Sequence, residues 1–128
     1  MRRFVALLGV VLLVMGIRLY NNGLLNCGYA GAFSYGTYDT VAYDVAPLLI
    51  DGPHRIDVQG GVDTAYGIIA NLDGKLLWTE EVGDMTVMYA YSPRLNKPLS
   101  VLGHQVNLMI AVTETGVAAG TPLLYGSY

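Results

Sequence analysis

Apolar residues fall along this chain in two different patterns. Phe4 to Ile17 reads FVALLGVVLLVMGI, fourteen apolar or glycine residues without a polar face, preceded by Arg2 and Arg3 and closed by Arg18. Such a run predicts a helix that is apolar all round, a surface suited to a water-free setting. Beyond Tyr38 the pattern changes to alternation. Val41, Tyr43 and Val45 alternate with Ala42, Asp44 and Ala46. Val106, Leu108, Ile110 and Val112 alternate with Asn107, Met109, Ala111 and Thr113. Period 2 predicts half-buried strands.

Between these two segments the strand signal recurs. Pro47 stops the first strand, Asp51, Gly52 and Pro53 mark a turn, and His54 to Val58 alternates weakly. Gly60 and Gly61 break the pattern, and Val62 to Ala70 resumes it as a further strand. The NLDG at 71–74, between GIIA and KLLWT, reads as a β-hairpin turn in which Gly74 takes the positive φ. Lys75 to Thr79 is then the return strand. Met85 to Tyr91 is β-prone and ends at Ser92 and Pro93. Glu114, Thr115 and Gly116 make a turn, and Val117 to Tyr125 returns. Seven or eight strands with turns about every ten residues predict a mainly antiparallel β domain, and no long amphipathic helix is evident after residue 20.

As a helix the fourteen residues rise about 21 Å at ~1.5 Å each, against roughly 30 Å of hydrocarbon. Continuation through Arg18 to Tyr20 reaches the lower end of the spanning range, with Arg18 snorkelling to the headgroups. The anchor residues on this reading are Phe4, Val5, Leu7, Leu8, Val10, Val11, Leu12, Leu13, Val14, Met15 and Ile17. Arg2 and Arg3 set topology. After Arg18 no Lys or Arg occurs until Arg55, so the basic asymmetry places the N-terminus in the cytoplasm and the remainder outside. A cleavable signal needs small residues soon after its apolar run, and Ala30 and Ala32 stand too far along. An uncleaved signal-anchor is therefore expected, with secretion after cleavage as the alternative. A lipoprotein signal ending at Cys27 would need a small residue where LLNC has Asn26.

Composition narrows what the body can be. After the anchor, Arg55, Lys75, Arg94 and Lys97 stand against ten carboxylates, a net of −6. A domain that acidic repels phosphate backbones, which disfavours nucleic acid as a partner. One cysteine forbids an internal disulfide, so the core must hold the fold. About a hundred residues suffice for one domain.

Residues 21–38 are rich in Gly, Asn and Tyr and have no period, the composition of a tether. Tyr29, Tyr35 and Tyr38, with Phe33 and Tyr43, offer aromatic faces to a sugar or a protein; cover by their own domain is the plainer reading. AFSYG at 32–36 matches a variant of the serine nucleophile elbow. That elbow needs a strand before it, a helix after it and a large parallel sheet, so catalysis by Ser34 is not expected.

The remaining polar residues carry little chemistry. His54 and His104 each sit beside a turn without a second ligand at zinc spacing, and solvent-facing loop positions are expected. Asp39, Asp44, Asp51, Asp57 and Asp63 do not match a calcium loop. Glu80, Glu81 and Asp84 read as an acidic turn, and Trp78 as a core residue. No metal, cofactor or catalytic residue is expected.

The closing third, YAYSPRL (Tyr89 to Leu95), GHQVNLMIAV (Gly103 to Val112) and GTPLLYGSY, resembles the last segment of YwmB-like proteins. These are anchored or exported proteins of spore-forming Gram-positive bacteria. The resemblance covers about forty residues and implies a fold similar to the TATA-box-binding protein, hence α+β, with helices on the sheet. It implies a surface-facing protein without established catalysis and supplies no functional residue. DNA binding is not carried over, because fold alone does not carry function and this domain is acidic.

The expected organisation is a signal-anchor at 1–20, a tether at 21–38 and a β-rich extracytoplasmic domain at 39–128. The expected function is a membrane-anchored, non-catalytic interaction domain of the cell envelope or sporulation apparatus, with protein partners at the cell surface. A cell-wall glycan-binding module using the tyrosines is the alternative, and a small hydrolase a third class.

Overall fold

A computed structural model of the chain describes residues 2–20, 23–35, 41–43 and 53–124. Helix α1 covers Arg2–Tyr20, and a short 3₁₀ turn follows at Gly23–Asn26. Strands β1 (Ala32–Tyr35), β2 (Val41–Tyr43) and β3 (His54–Val58) lead into helix α2 (Val62–Asn71). Strands β4 (Lys75–Val82), β5 (Met85–Tyr91), β6 (Leu99–Val101), β7 (His104–Val106), β8 (Leu108–Thr113) and β9 (Gly116–Thr121) complete the chain. Seven strands form one antiparallel sheet in the order β2-β1-β3-β9-β8-β5-β4, and β6 and β7 form a separate ribbon. The architecture is mainly antiparallel β, as the alternation predicts.

Helix α2 replaces the strand expected at 62–70. Its buried residues Ala65, Ile68 and Ile69, followed by buried Leu72, fall at intervals of three, one and three, the stripe one helix face presents to a sheet. NLDG ends this helix instead of joining two strands. The Gly74 N–H donates to the Ile69 carbonyl at 2.8 Å and the Asp73 N–H to the Ala70 carbonyl at 3.1 Å, the paired bonds of a Schellman cap. Asp73, not Gly74, takes the positive φ, at 54°. The true hairpin lies one step further on, where Gly83 (φ 60°) and Asp84 join β4 to β5. Glu80 and Glu81, expected in a turn, sit on the exposed end of β4.

One face of the sheet carries the main core. Ile56, Val58, Met88, Ala90, Leu108, Ile110, Val112, Val117 and Ala119 meet Leu24 and Cys27 from the 3₁₀ turn side and Ala65, Ile68, Ile69 and Leu72 from α2. The opposite face holds a smaller cluster of Val87, Met109, Ala111, Ala118 and Leu124. The described part of the expected tether, 23–35, therefore belongs to the domain. Leu24 and Cys27 are wholly buried, and β1 pairs with β3 through Phe33 and Ile56. With no exposed surface, Cys27 is out of reach of a second chain's thiol, and the same burial pushes its own thiol above its ordinary value.

Candidate functional site

The chain enters the domain through a joint beside the first residue of β3. His54, expected on a solvent-facing loop, is 3 % exposed, and its Nε2 accepts the Leu24 N–H at 3.2 Å. Gly23 lies so close over that imidazole, at φ 62°, that a Cβ there would come within 2.1 Å of Nε2. Asn71, the last residue of α2, donates its Nδ2 to the Cys27 carbonyl at 2.8 Å. Phe33 packs against His54 with ring centroids 5.5 Å apart. The joint is thus fixed by one imidazole, one amide and a glycine with no room for a Cβ.

Strand register defines two ends of the sheet. His54, Thr121, Leu108, Ala90 and Leu76 share the lower end, while Val58, Val117, Val112, Thr86 and Glu81 share the upper. Helix α2 runs from the upper end to the lower, since it follows Val58 and precedes Lys75. All four basic residues of the domain belong to the lower half: Arg55 near the start of β3, Lys75 at the start of β4, and Arg94 and Lys97 in the loop after β5. Of the described carboxylates, Asp57, Asp63, Glu80, Glu81, Asp84 and Glu114 belong to the upper half. Asp73 alone lies below, 3.8 Å from Arg94. Among the described residues the charges are thus segregated along the sheet.

A buried amide organises the lower loop. Asn107, 1 % exposed, accepts the Ser92 N–H at 2.7 Å and donates to the Ser92 carbonyl at 2.6 Å and the Asn96 carbonyl at 3.0 Å. Ser92 Oγ donates to the Leu72 carbonyl at 2.6 Å and accepts the Arg94 N–H at 3.1 Å. Arg94 reaches the Asn71 carbonyl at 2.9 Å, a cation at the negative end of α2. From this loop hangs the β6–β7 ribbon. Its tip residue Leu102 is 80 % exposed and adopts φ 50°, a conformation that costs a non-glycine residue about 1 kcal/mol. Beside the tip, where it pairs with Val101, His104 meets Trp78 at 5.3 Å, and Trp78 stacks on Tyr89 at 4.5 Å. Trp78 is therefore half-buried in an aromatic stack instead of lying in the core.

Helix α1 is the other exposed apolar element. Val5, Leu7, Leu8, Val10, Val11, Leu12 and Leu13 are 46–65 % exposed. Arg3 is exposed, and Gly9 has open space around it. Arg2, Phe4, Val14, Met15 and Ile17 belong to the same helix, with their side chains outside the described ones. Among the described residues no helix is long and apolar enough to cross a membrane.

The other candidates separate. Tyr29 lies along α2, its hydroxyl over Gly67 where a Cβ would come within 2.1 Å. Tyr35 ends β1 opposite His54, and Tyr38 lies outside the described residues, as do Asp39, Asp44 and Asp51. Ser34 sits within β1, paired with Arg55 and Ala42, so the strand-to-helix turn of a nucleophile elbow does not form there. The nearest depression is an open groove of about 440 Å³ floored by small residues, among them Ala32, Ala111, Gly116 and Ala118. Its one carboxylate, Asp57, is held by Arg55, whose Nε donates at 3.0 Å. No group of three potential metal ligands occurs among the described residues.

No family model, no curated protein and no solved structure matches the chain.

Proposed function

We propose that the chain is a membrane-anchored, extracytoplasmic, non-catalytic interaction domain, with α1 in the bilayer and its N-terminus in the cytoplasm. The observation that carries this reading is the seven large apolar residues exposed around α1, which leave a surface that water disfavours and lipid does not. The helix has 19 residues, about 28 Å at ~1.5 Å each, a little short of the roughly 30 Å of hydrocarbon, so on this reading Arg18 snorkels to the headgroups. Arg2 and Arg3 before it supply the orienting charge. Envelope or sporulation surroundings, and a fold like that of the TATA-box-binding protein, rest on the resemblance of the closing third. His54, Ser92 and Asn107, the buried polar side chains described above, are engaged in the fold's own hydrogen bonds, which favours partner binding over catalysis. The test is a pair of fusions after Tyr128. An active alkaline phosphatase with a dark cytosolic fluorescent reporter supports the reading, and the reverse pair overturns it.

A further inference from the structure

The large sheet ends at β4, an eight-residue strand with no strand beyond it among those described. Trp78, Glu80 and Val82 pair with Tyr89, Val87 and Met85 of β5, so they lie on the face of the smaller cluster. Thr79 and Glu81 lie on the α2 face, opposite Met88 and Thr86. This border is apolar and acidic at once. Trp78 is half-buried and Val82 is 51 % exposed, while β4 and its hairpin turn carry Lys75 against Glu80, Glu81 and Asp84, a net of −2. Trp78 Nε1 donates to Glu80 at 3.4 Å and Thr86 Oγ1 to Glu81 at 3.0 Å. These bonds orient both carboxylates and leave each with further acceptor positions.

We propose that this border docks an extended, cationic segment of a partner protein, which joins the sheet as a strand beyond β4. Its backbone continues the ladder, and its apolar side chains lie beside Trp78 and Val82. Neighbouring residues of a strand face opposite sides of the sheet, so Glu80 and Glu81 select a segment with two consecutive lysines or arginines, one for each face. Opposite charges set across a strand pair favour the pairing. The inference rests on the reading of the chain as an interaction domain and names the partner's chemistry. Charge also decides between occupants. A second copy would bring another border of net −2, whereas a basic strand brings the opposite sign.

The experiment uses the full chain in nonionic detergent and a capped peptide with two adjacent lysines between stretches of alternating valine and threonine. Trp78 is the sole tryptophan, so its emission reports on the border itself. A labelled copy of the peptide gives the affinity by anisotropy. The expected result is a saturable shift of Trp78 emission that tracks the anisotropy. Affinity should fall at least tenfold in Glu80→Lys/Glu81→Lys. Two further peptides keep every side chain but are methylated at alternate backbone nitrogens, one in each phase. Only one phase turns its nitrogens towards β4, so one peptide should lose at least tenfold in affinity and the other should keep it. Absence of binding, equal affinity for both methylated peptides, or binding that leaves Trp78 emission unchanged overturns the inference. An emission shift that follows protein concentration without peptide overturns it as well, and assigns the border to a second copy. The assay uses neither the bilayer nor the fusions after Tyr128, so its failure leaves the membrane-anchored reading standing, and failed fusions leave its own result readable.

Discussion

Asn107→Ala tests the claim that one buried amide sets the whole lower loop. The side chain makes three hydrogen bonds, to the Ser92 N–H, the Ser92 carbonyl and the Asn96 carbonyl, from a site with 1 % exposure. Alanine fills neither the volume nor the polar valences. Each lost bond is worth about 1 kcal/mol net, and a buried group left unsatisfied costs about as much or more. The expected destabilisation is therefore about 3 kcal/mol, a large part of the roughly 5–15 kcal/mol that holds a typical domain. Urea unfolding of the purified chain should show the midpoint falling by roughly 1–3 M at unchanged slope, given ~1–3 kcal/mol per molar. Ser92→Ala should cost about 2 kcal/mol, through the lost bonds to the Leu72 carbonyl and the Arg94 N–H. The double variant should lose less than the sum, since both residues hold the same loop. A midpoint shift for Asn107→Ala below about 0.3 M, or strict additivity, would refute the reasoning.

Other perturbations address the joint and the cap. Gly23→Ala puts a Cβ against the His54 ring in a left-handed conformation, so it should cost about 2 kcal/mol or more and make Cys27 accessible to maleimide. Unchanged labelling speaks against the joint. Because burial raises the Cys27 thiol above 9.0, the folded state keeps a proton that the unfolded chain sheds above that pH. Cys27's contribution to stability should be level below about pH 8 and decline as pH climbs past 9, and Cys27→Ala should remove that part of the decline in alkaline melting curves. Asp73→Gly relieves the positive φ at the α2 cap and should raise the melting temperature, worth about 0.5–1 kcal/mol.

Most strands were legible because their faces differ. Leu108 to Thr113 alternates cleanly since one side meets α2 and the other the smaller cluster, whereas Val106, read as part of the same strand, closes β7 of the separate ribbon, with buried Asn107 at the break. Met85 to Tyr91 is marked by its β-prone residues and Pro93. Helix α2 was misread for an identifiable reason. VDTAYGIIAN is rich in β-branched and aromatic residues and contains Gly67, so local preference points to a strand. The interval pattern of Ala65, Ile68, Ile69 and Leu72 carried the opposite and correct signal. Gly67 is a concession to Tyr29, a contact across 38 positions that no local pattern encodes. His54 illustrates a second limit. Nothing near it in the chain shows that Leu24, thirty residues earlier, supplies the donor that makes its burial tolerable. Charge polarity was invisible for the same reason, because it depends on which strand ends share a side of the sheet.

Strand β4 forms one border of the sheet, eight residues long, with no strand beyond it among those described. A border of that length invites a neighbour's strand to continue the ladder. Here Glu80 and Glu81 stand near its outer end, where a like strand laid antiparallel across them would bring carboxylate towards carboxylate. Neutralising both with glutamine would leave the fold intact yet strip the molecule of its guard against growing into ribbons.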